Sequence, residues 1–143
     1  YGCQNLTTLN LSNFNTSNVT NMRYLFYECS NMGSIDMSSF NTSNVEDMCE
    51  MFYGCQNLTT LNLSNFNTSK VQYMTSMFMG CKNLIELNLS NFKLNKNTDT
   101  YEMFFGCDNL RTVRVTNCNQ TKISKFKQAL NKAGLQYQVK LVK

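Results

Sequence analysis

Cysteine is the residue of this chain with the widest chemistry, because its thiol can pair, bind a metal or attack a substrate. Five of the seven cysteines recur at one constant interval, at Cys3, Cys29, Cys55, Cys81 and Cys107. The chain has no histidine and no Cys-x-x-Cys pair, so the usual pattern of a zinc site is missing. We expect these five to be buried free thiols that pack as small apolar groups. Cys49 lies outside the series and is the candidate for an exposed, reactive thiol.

The other nucleophiles give no support for catalysis. A serine or threonine nucleophile needs a neighbouring base, and histidine is absent. The serines and threonines also recur at repeated positions, whereas an active site needs one distinct pocket. We therefore expect a protein that is not an enzyme and that uses no cofactor or metal.

The interval from Cys3 to Cys29 is the period of the whole sequence. The stretch 1–17 recurs unchanged at 53–69, and looser copies begin at 27, 79 and 105. A fixed period of about 20–50 residues indicates a repeat array. We predict one domain over 1–143, with units 1–26, 27–52, 53–78, 79–104 and 105–130 and a terminal cap strand in 131–143. The first unit lacks the Met-Phe pair that comes before Gly-Cys elsewhere, so we expect a piece of a longer protein.

Each unit predicts a short strand followed by a helical turn. Leu9 and Leu11 alternate with polar residues, which is typical of a strand with one buried face. Val19, Met22 and Phe26 fall at helical spacing. One unit is too small to bury a core, so neighbouring units must cover one another. The predicted fold is an α/β repeat solenoid, with a parallel β-sheet on one face and short helical turns on the other.

The C-terminal part predicts a cap made of a helix and a strand. Ile123, Phe126 and Leu130 form an apolar stripe that ends at Gly134. Val139 and Leu141 then stand one full period after the strand residues Val113 and Val115, which predicts a last strand in that register. Residues 105–143 carry eight basic side chains and one acidic one. We interpret this excess as a solvated cap; a site for an acidic partner, nucleic acid or anionic lipid is the alternative.

Rows of polar residues on the outward face of the predicted strands are the candidate protein-binding site. A solvated face and a binding surface both remain open for them, because they include no aromatic anchor. The row Tyr1, Tyr27, Tyr53, Met79 and Phe105 either supplies anchors or stacks on itself at an edge. A further row, Asn5, Asn31, Asn57, Asn83 and Asn109, is expected to bond the backbone of the neighbouring unit. The candidate binding residues are Thr8, Asn10, Ser12, Ser34, Asp36, Ser38, Thr60, Asn62, Ser64, Glu86, Asn88, Ser90, Thr112, Arg114 and Thr116.

The repeated motif resembles a known family. Met-Phe-x-Gly-Cys-x-Asn-Leu-x-x-Leu-x-Leu-Ser-x-Phe-Asn-Thr-Ser-x-Val, at 51–71, is similar to the BspA-like leucine-rich repeat surface proteins of bacteria and some protist parasites. The resemblance covers essentially the whole chain, with departures at 93–100 and at Cys118. It implies a right-handed leucine-rich-repeat solenoid whose parallel sheet is concave. It also implies an extracellular or cell-surface location and, for some members, adhesion to host proteins or other cells.

Two functions follow as hypotheses. The first is a module that binds host or neighbouring-cell surface proteins, or extracellular matrix, through the concave polar face. The alternative is a structural spacer with no ligand of its own. We expect no nucleic-acid partner and no membrane insertion. Self-association through an open N-terminal face, with Cys3, Leu6, Leu9 and Leu11 exposed, is a further hypothesis.

Overall fold

A small parallel sheet and one helix form the regular secondary structure. The computed structural model describes residues 2–143. Its strands are β1 (Thr60–Asn62), β2 (Glu86–Asn88), β3 (Thr112–Arg114) and β4 (Lys140–Val142), and its helix α1 spans Gln120–Lys132. The strands lie in the order β1-β2-β3-β4, and all neighbours are parallel. The predicted α/β class, the parallel sheet and the cap of a helix and a strand are confirmed.

The strands of successive units pair at the period of the sequence. Leu61 lies opposite Leu87, and Leu87 lies opposite Val113, so each pairing joins equivalent positions of two units. The terminal strand departs from the predicted register, because Val113 lies opposite Leu141 rather than Val139. The connection through α1 therefore lengthens the period by two positions. A shift by an even number keeps every side chain on its predicted face of the sheet.

Turns replace the predicted helical segments on the opposite side of each unit. We name residues 21–28, 47–54, 73–80 and 99–106 the turn ladder. In the first three of these segments, alternate N–H groups bond the next unit: Phe26 N–H donates to the Met51 carbonyl at 2.8 Å, and Phe52 N–H to the Met77 carbonyl at 2.9 Å. Most of the N–H groups between them donate three residues back, as Tyr27 does to Tyr24 at 3.1 Å. Those of Arg23, Cys49 and Tyr101 donate to the side-chain oxygen of the Asn or Asp two residues back.

The prediction of helical turns is therefore wrong. A helix satisfies its backbone internally, whereas half of the N–H groups in 21–28, 47–54 and 73–80 are bonded to the next unit. A residue with positive φ also interrupts each segment, at Tyr24, Glu50, Ser76 and Glu102. Side chains on L-residues disfavour this conformation, so the contacts between units hold it in place.

The core lies between the sheet and the turn ladder. Matching side chains of successive units stack in it, as in the run of Phe26, Phe52, Phe78 and Phe104, whose ring centroids are 5.5, 5.8 and 6.0 Å apart. The planes are inclined by at most 13°. Each unit thus buries its apolar residues against the same residues of its neighbours, as the repeat predicts.

The first two units lack the predicted strands. Within residues 2–143, strands occur only in the third to fifth units and in the cap. In the third and fourth units, Thr59 accepts a bond from Ile85 N–H (2.8 Å) and Ile85 accepts one from Arg111 N–H (3.0 Å), which carries the ladder into each strand. The second unit has Gly33 at this position. Glycine weakens a strand because it has no side chain to pack and loses more backbone entropy on folding.

We expect Gly33→Thr to raise the free energy of unfolding by about 0.5–1 kcal/mol, the usual cost of a glycine in an extended segment. A Cβ at Gly33 would meet nothing within 4 Å, and its φ is not positive. Urea denaturation followed by circular dichroism measures the change. Gly54→Thr is the matched control and should destabilise the protein, since Gly54 has a φ of +68° and its Cβ would lie 3.2 Å from Glu28 Cγ. Equal effects of the two variants would contradict the explanation.

Candidate functional site

The predicted binding residues form a polar face that runs from the first unit across β1, β2 and β3, and we use the name polar face for the fourteen of them other than Ser90. Ten of them are exposed, while Ser64, Glu86, Asn88 and Thr112 are half-buried. Ser90 is buried, with 8% of its surface exposed, so its assignment to this face is wrong. The chain leaves β2 at Asn88 and Ser90 opens the following turn. The alternation expected from a longer strand therefore no longer holds at residue 90.

The middle row of the polar face has a structural task. The side-chain oxygens of Asn10, Asp36, Asn62 and Asn88 each accept a hydrogen bond from the backbone N–H two residues later, at 2.9–3.1 Å. Asn and Asp commonly close a turn in this way. The bonds from the backbone and hydroxyl of Ser38 also lower the pKa of Asp36 below its usual range. These side chains close the turn that follows in each unit, and a ligand that bound them would have to displace those hydrogen bonds.

The fifth unit places a basic side chain in this row. Arg114 stands where the other units have Asn or Asp, and its guanidinium forms an ion pair with Glu86 on β2. Both side chains are more than a third exposed, so the pair contributes little to stability. Its effect is to place one basic and one acidic group side by side on an otherwise uncharged part of the face.

The first row of the face is open to solvent. Thr8, Ser34 and Thr60 are exposed and Thr112 is half-buried. Their hydroxyls lie at equivalent positions of the first, second, third and fifth units and can donate and accept hydrogen bonds, while the fourth unit has Glu86 there. A shallow groove of about 310 Å³ continues the face toward the first unit, between Leu9–Ser12 and Asp36. The face therefore suits broad polar contact with a partner.

The aromatic row forms a second surface along an edge of the units. Tyr27 and Tyr53 stack on each other, with centroids 4.7 Å apart and planes inclined by 7°, so this part of the row follows the stacking alternative. Phe105 is about half exposed and borders a groove of about 410 Å³ that Tyr53, Met79 and Gly80 also line. Tyr1, the first member of the row, lies outside the described residues.

The cysteine series is structural in the second to fifth units. Cys29, Cys55, Cys81 and Cys107 are buried free thiols, as predicted. The Sγ–H groups of Cys55, Cys81 and Cys107 donate to the carbonyls of Phe26, Phe52 and Phe78 at 3.0–3.1 Å, each 29 residues earlier in the chain. Burial raises the pKa of Cys55 and of Cys107 to about 12. A thiolate is therefore strongly disfavoured at these positions.

Two cysteines differ from their predictions. Cys49, expected to be exposed, is buried, and burial raises its pKa. Cys3, expected to be buried with the rest of the series, is exposed. In later units the equivalent cysteine lies under the unit before it, and this cover explains why Cys55 and Cys3 differ despite identical neighbours in sequence.

Two ladders of polar side chains connect the units. Asn57 Nδ2 donates to Asn31 Oδ1 at 3.3 Å, an amide-to-amide bond rather than the predicted bond to backbone. A threonine ladder was not predicted. Thr42 Oγ1 accepts from Asn67 N–H at 2.8 Å and donates to the Asn67 carbonyl at 3.2 Å. The signal was present in the sequence, because Thr16, Thr42 and Thr68 are buried polar residues that recur at the period.

A comparison of the sequence with family models shows to which protein family the chain belongs. A model described as Mycoplasma protein of unknown function, DUF285, matches residues 1–118. The chain belongs to the DUF285 family. No curated protein and no solved structure matches it. The matched part of this DUF285 chain includes β1, β2, β3 and the polar face and ends just before α1.

Residues 2–143 of the DUF285 chain contain no group of three or more side chains suited to hold a metal ion. In the same part of the chain, no helix has the length and apolar character needed to cross a membrane.

We expect the thiols of the DUF285 chain to divide into one fast and several slow classes in a reaction with Ellman's reagent. Cys3 should react within the mixing time, because it is exposed, whereas the four buried thiols of the series should react only at the rate of unfolding. Cys3→Ser removes the fast phase and serves as the control. Fast labelling of several thiols in that variant would contradict the burial of the series.

We also expect stability to fall in alkaline solution. An unfolded thiol has a pKa near 9.0, while burial raises the pKa of Cys55 and Cys107 to about 12. The stabilisation that comes from these raised pKa values is complete below pH 9 and is lost as the pH rises towards 12. Between these values the two thiols ionise readily only in the unfolded chain, which lowers the free energy of unfolding. Urea midpoints at about pH 8 and 10.5 measure the slope. The double variant Cys55→Ala/Cys107→Ala should show a smaller fall than the parent protein.

Proposed function

We propose that this chain is a leucine-rich-repeat solenoid that binds other proteins at the cell surface and has no enzymatic activity. The support for the solenoid is the agreement of two ladders on opposite sides of one core. The strands β1, β2 and β3 pair at a shift of one period. The bridges of the turn ladder, from Asn21 to Asp47, Tyr73 and Asp99, are parallel and repeat at the same interval. Stacked coils of one repeat would have both features.

The open first row of the polar face carries the binding proposal. Thr60 is exposed, as are Ser34 and Thr8 one and two units before it. Hydroxyls that recur at the period of the units offer many weak hydrogen bonds, which suit a partner with an extended polar surface. In a leucine-rich-repeat solenoid this row would lie on the concave side, where one partner can touch several units at once. The partners proposed are surface proteins of host or neighbouring cells, or extracellular matrix.

An extracellular or cell-surface location belongs to the same proposal. It is supported by the resemblance of the repeat at 51–71 to BspA-like surface proteins. Free thiols are unusual in oxidising surroundings, but four of the series here are buried and bonded or packed within the core. Burial would keep them from forming disulfides in that location.

A variant with two arginines on the open row tests the binding function. We expect Ser34→Arg/Thr60→Arg to reduce saturable binding to intact mammalian cells and to coats of purified matrix proteins by about tenfold or more, since two bulky charges interrupt the contact. Thr20→Arg/Gln72→Arg is the matched control, because it adds the same charge at exposed positions beside the turn ladder. Surface plasmon resonance and cell binding measure both. Equal binding by the two variants would exclude the polar face as the site.

The spacer function has its own support. Asn10, Asp36, Asn62 and Asn88 are held by backbone N–H groups, so a whole row of the polar face serves the fold. A protein that only projects another domain would need this row to maintain its fold and would need no row of the polar face for binding. Under that function, neither the parent protein nor either arginine variant binds in the same assay.

A further inference from the structure

Apolar side chains of the first unit are exposed at one end of the protein, and we name Leu6, Leu9, Phe14, Val19 and Leu25 the N-terminal face. Phe14 is 59% exposed and Leu9 is 38% exposed. Leu25 is exposed as well, and Leu6 and Val19 are partly buried. Leu11, expected to be open here, is instead buried under the second unit. The face is distinct from the polar face described above.

The same sequence is covered elsewhere in the protein. Residues 1–17 are identical to 53–69, yet Leu61 and Phe66, the counterparts of Leu9 and Phe14, are only 3% and 1% exposed. The sequence cannot explain this difference. The cause is the unit 27–52, which covers 53–69, while the described part of the chain provides no such cover for the first copy.

The contacts of 27–52 with its neighbour show what this sequence binds. Asn57 N–H donates to the Ser30 carbonyl at 3.0 Å, and Asn67 N–H donates to Thr42 Oγ1 at 2.8 Å. Asn65 Nδ2 donates to the carbonyls of Met37 and Phe40 at 3.0 and 3.2 Å. The first unit has the same donors at its equivalent positions, namely Asn5, Asn13 and Asn15.

We propose that the N-terminal face is a docking site for a further repeat unit of the 27–52 type. Such a unit would bury the five apolar side chains and offer the acceptors that 27–52 offers to 53–69. An intact second copy fits less well. Its own unit 27–52 is already packed on 53–78, and its opposite end is closed by α1 and β4. The proposal concerns a different surface from the proposed binding function, and either can fail without the other.

A tandem protein tests the proposal without the translational and rotational entropy cost of binding a free peptide. Residues 27–52 are joined directly before Tyr1, so that the new junction, Phe-Tyr-Gly-Cys, repeats the native one at 52–55. The chain has no tryptophan, so Phe14→Trp introduces a single reporter on the N-terminal face. Tyr137→Trp is the control reporter, since Tyr137 is 94% exposed in the cap, at the other end of the protein.

We expect the emission of the Phe14→Trp reporter to shift to the blue, and its quenching by acrylamide to fall several-fold, when the extra unit is present. The Tyr137→Trp reporter should not change. A tandem whose added unit carries serine at the positions equivalent to Ile35, Met37 and Phe40 should lose the shift. An unchanged Phe14→Trp spectrum in the tandem overturns the proposal. A blue shift that grows with protein concentration in the chain without the added unit also overturns it, in favour of a second copy.

Discussion

The hydrogen bonding of backbone between units is the constraint on which this structure depends. In the turn ladder, a donor in one unit finds its acceptor in the next, as Phe26 finds Met51 and Phe52 finds Met77. On the other side of the core, the strands pair at a shift of one full period. An unpaired buried backbone group costs free energy comparable to a lost hydrogen bond. An insertion in one unit would misalign both ladders at once, which explains why the period is constant through the five units.

The same constraint explains which residues the core keeps. A close approach of two backbones requires small polar side chains that can bond a neighbouring chain. Thr42 bonds both the N–H and the carbonyl of Asn67, and the thiol of Cys81 bonds the carbonyl of Phe52. Cysteine in this sequence therefore acts as a small apolar residue with a weak donor. The cysteine series, which has the widest possible chemistry in the sequence, serves to connect neighbouring units.

Prediction from sequence succeeded where a side chain alone decides the outcome. The apolar columns, the burial of Cys55 and Cys107, and the cap of α1 and β4 all follow from residue type and period. Prediction failed where two backbone conformations, a helix and a series of turns, can bury the same apolar residues. Val19, Met22 and Phe26 have helical spacing, but turns bonded to the next unit direct them to the core equally well. Neither the left-handed residues at Tyr24 and Glu50 nor the two-position shift of β4 leaves a signal in hydrophobic periodicity.

The candidate site was predictable only in outline, for a related reason. Alternation identifies outward residues, but it cannot distinguish a hydroxyl that faces solvent from an amide that closes a turn, as Thr60 and Asn62 show. Repetition adds a second limit. A face built from equal units offers a ligand several equivalent registers, and specificity requires a difference between the right register and the others. The ion pair of Glu86 and Arg114 is such a difference, because it marks β2 and β3 with charges that β1 lacks. Asp36 is a second difference, because it is an exposed acidic group where the first, third and fourth units have Asn. A ligand that selects one position on the polar face would have to recognise one of these charged sites, so under the proposed function the second, fourth and fifth units set specificity and the others add contact area.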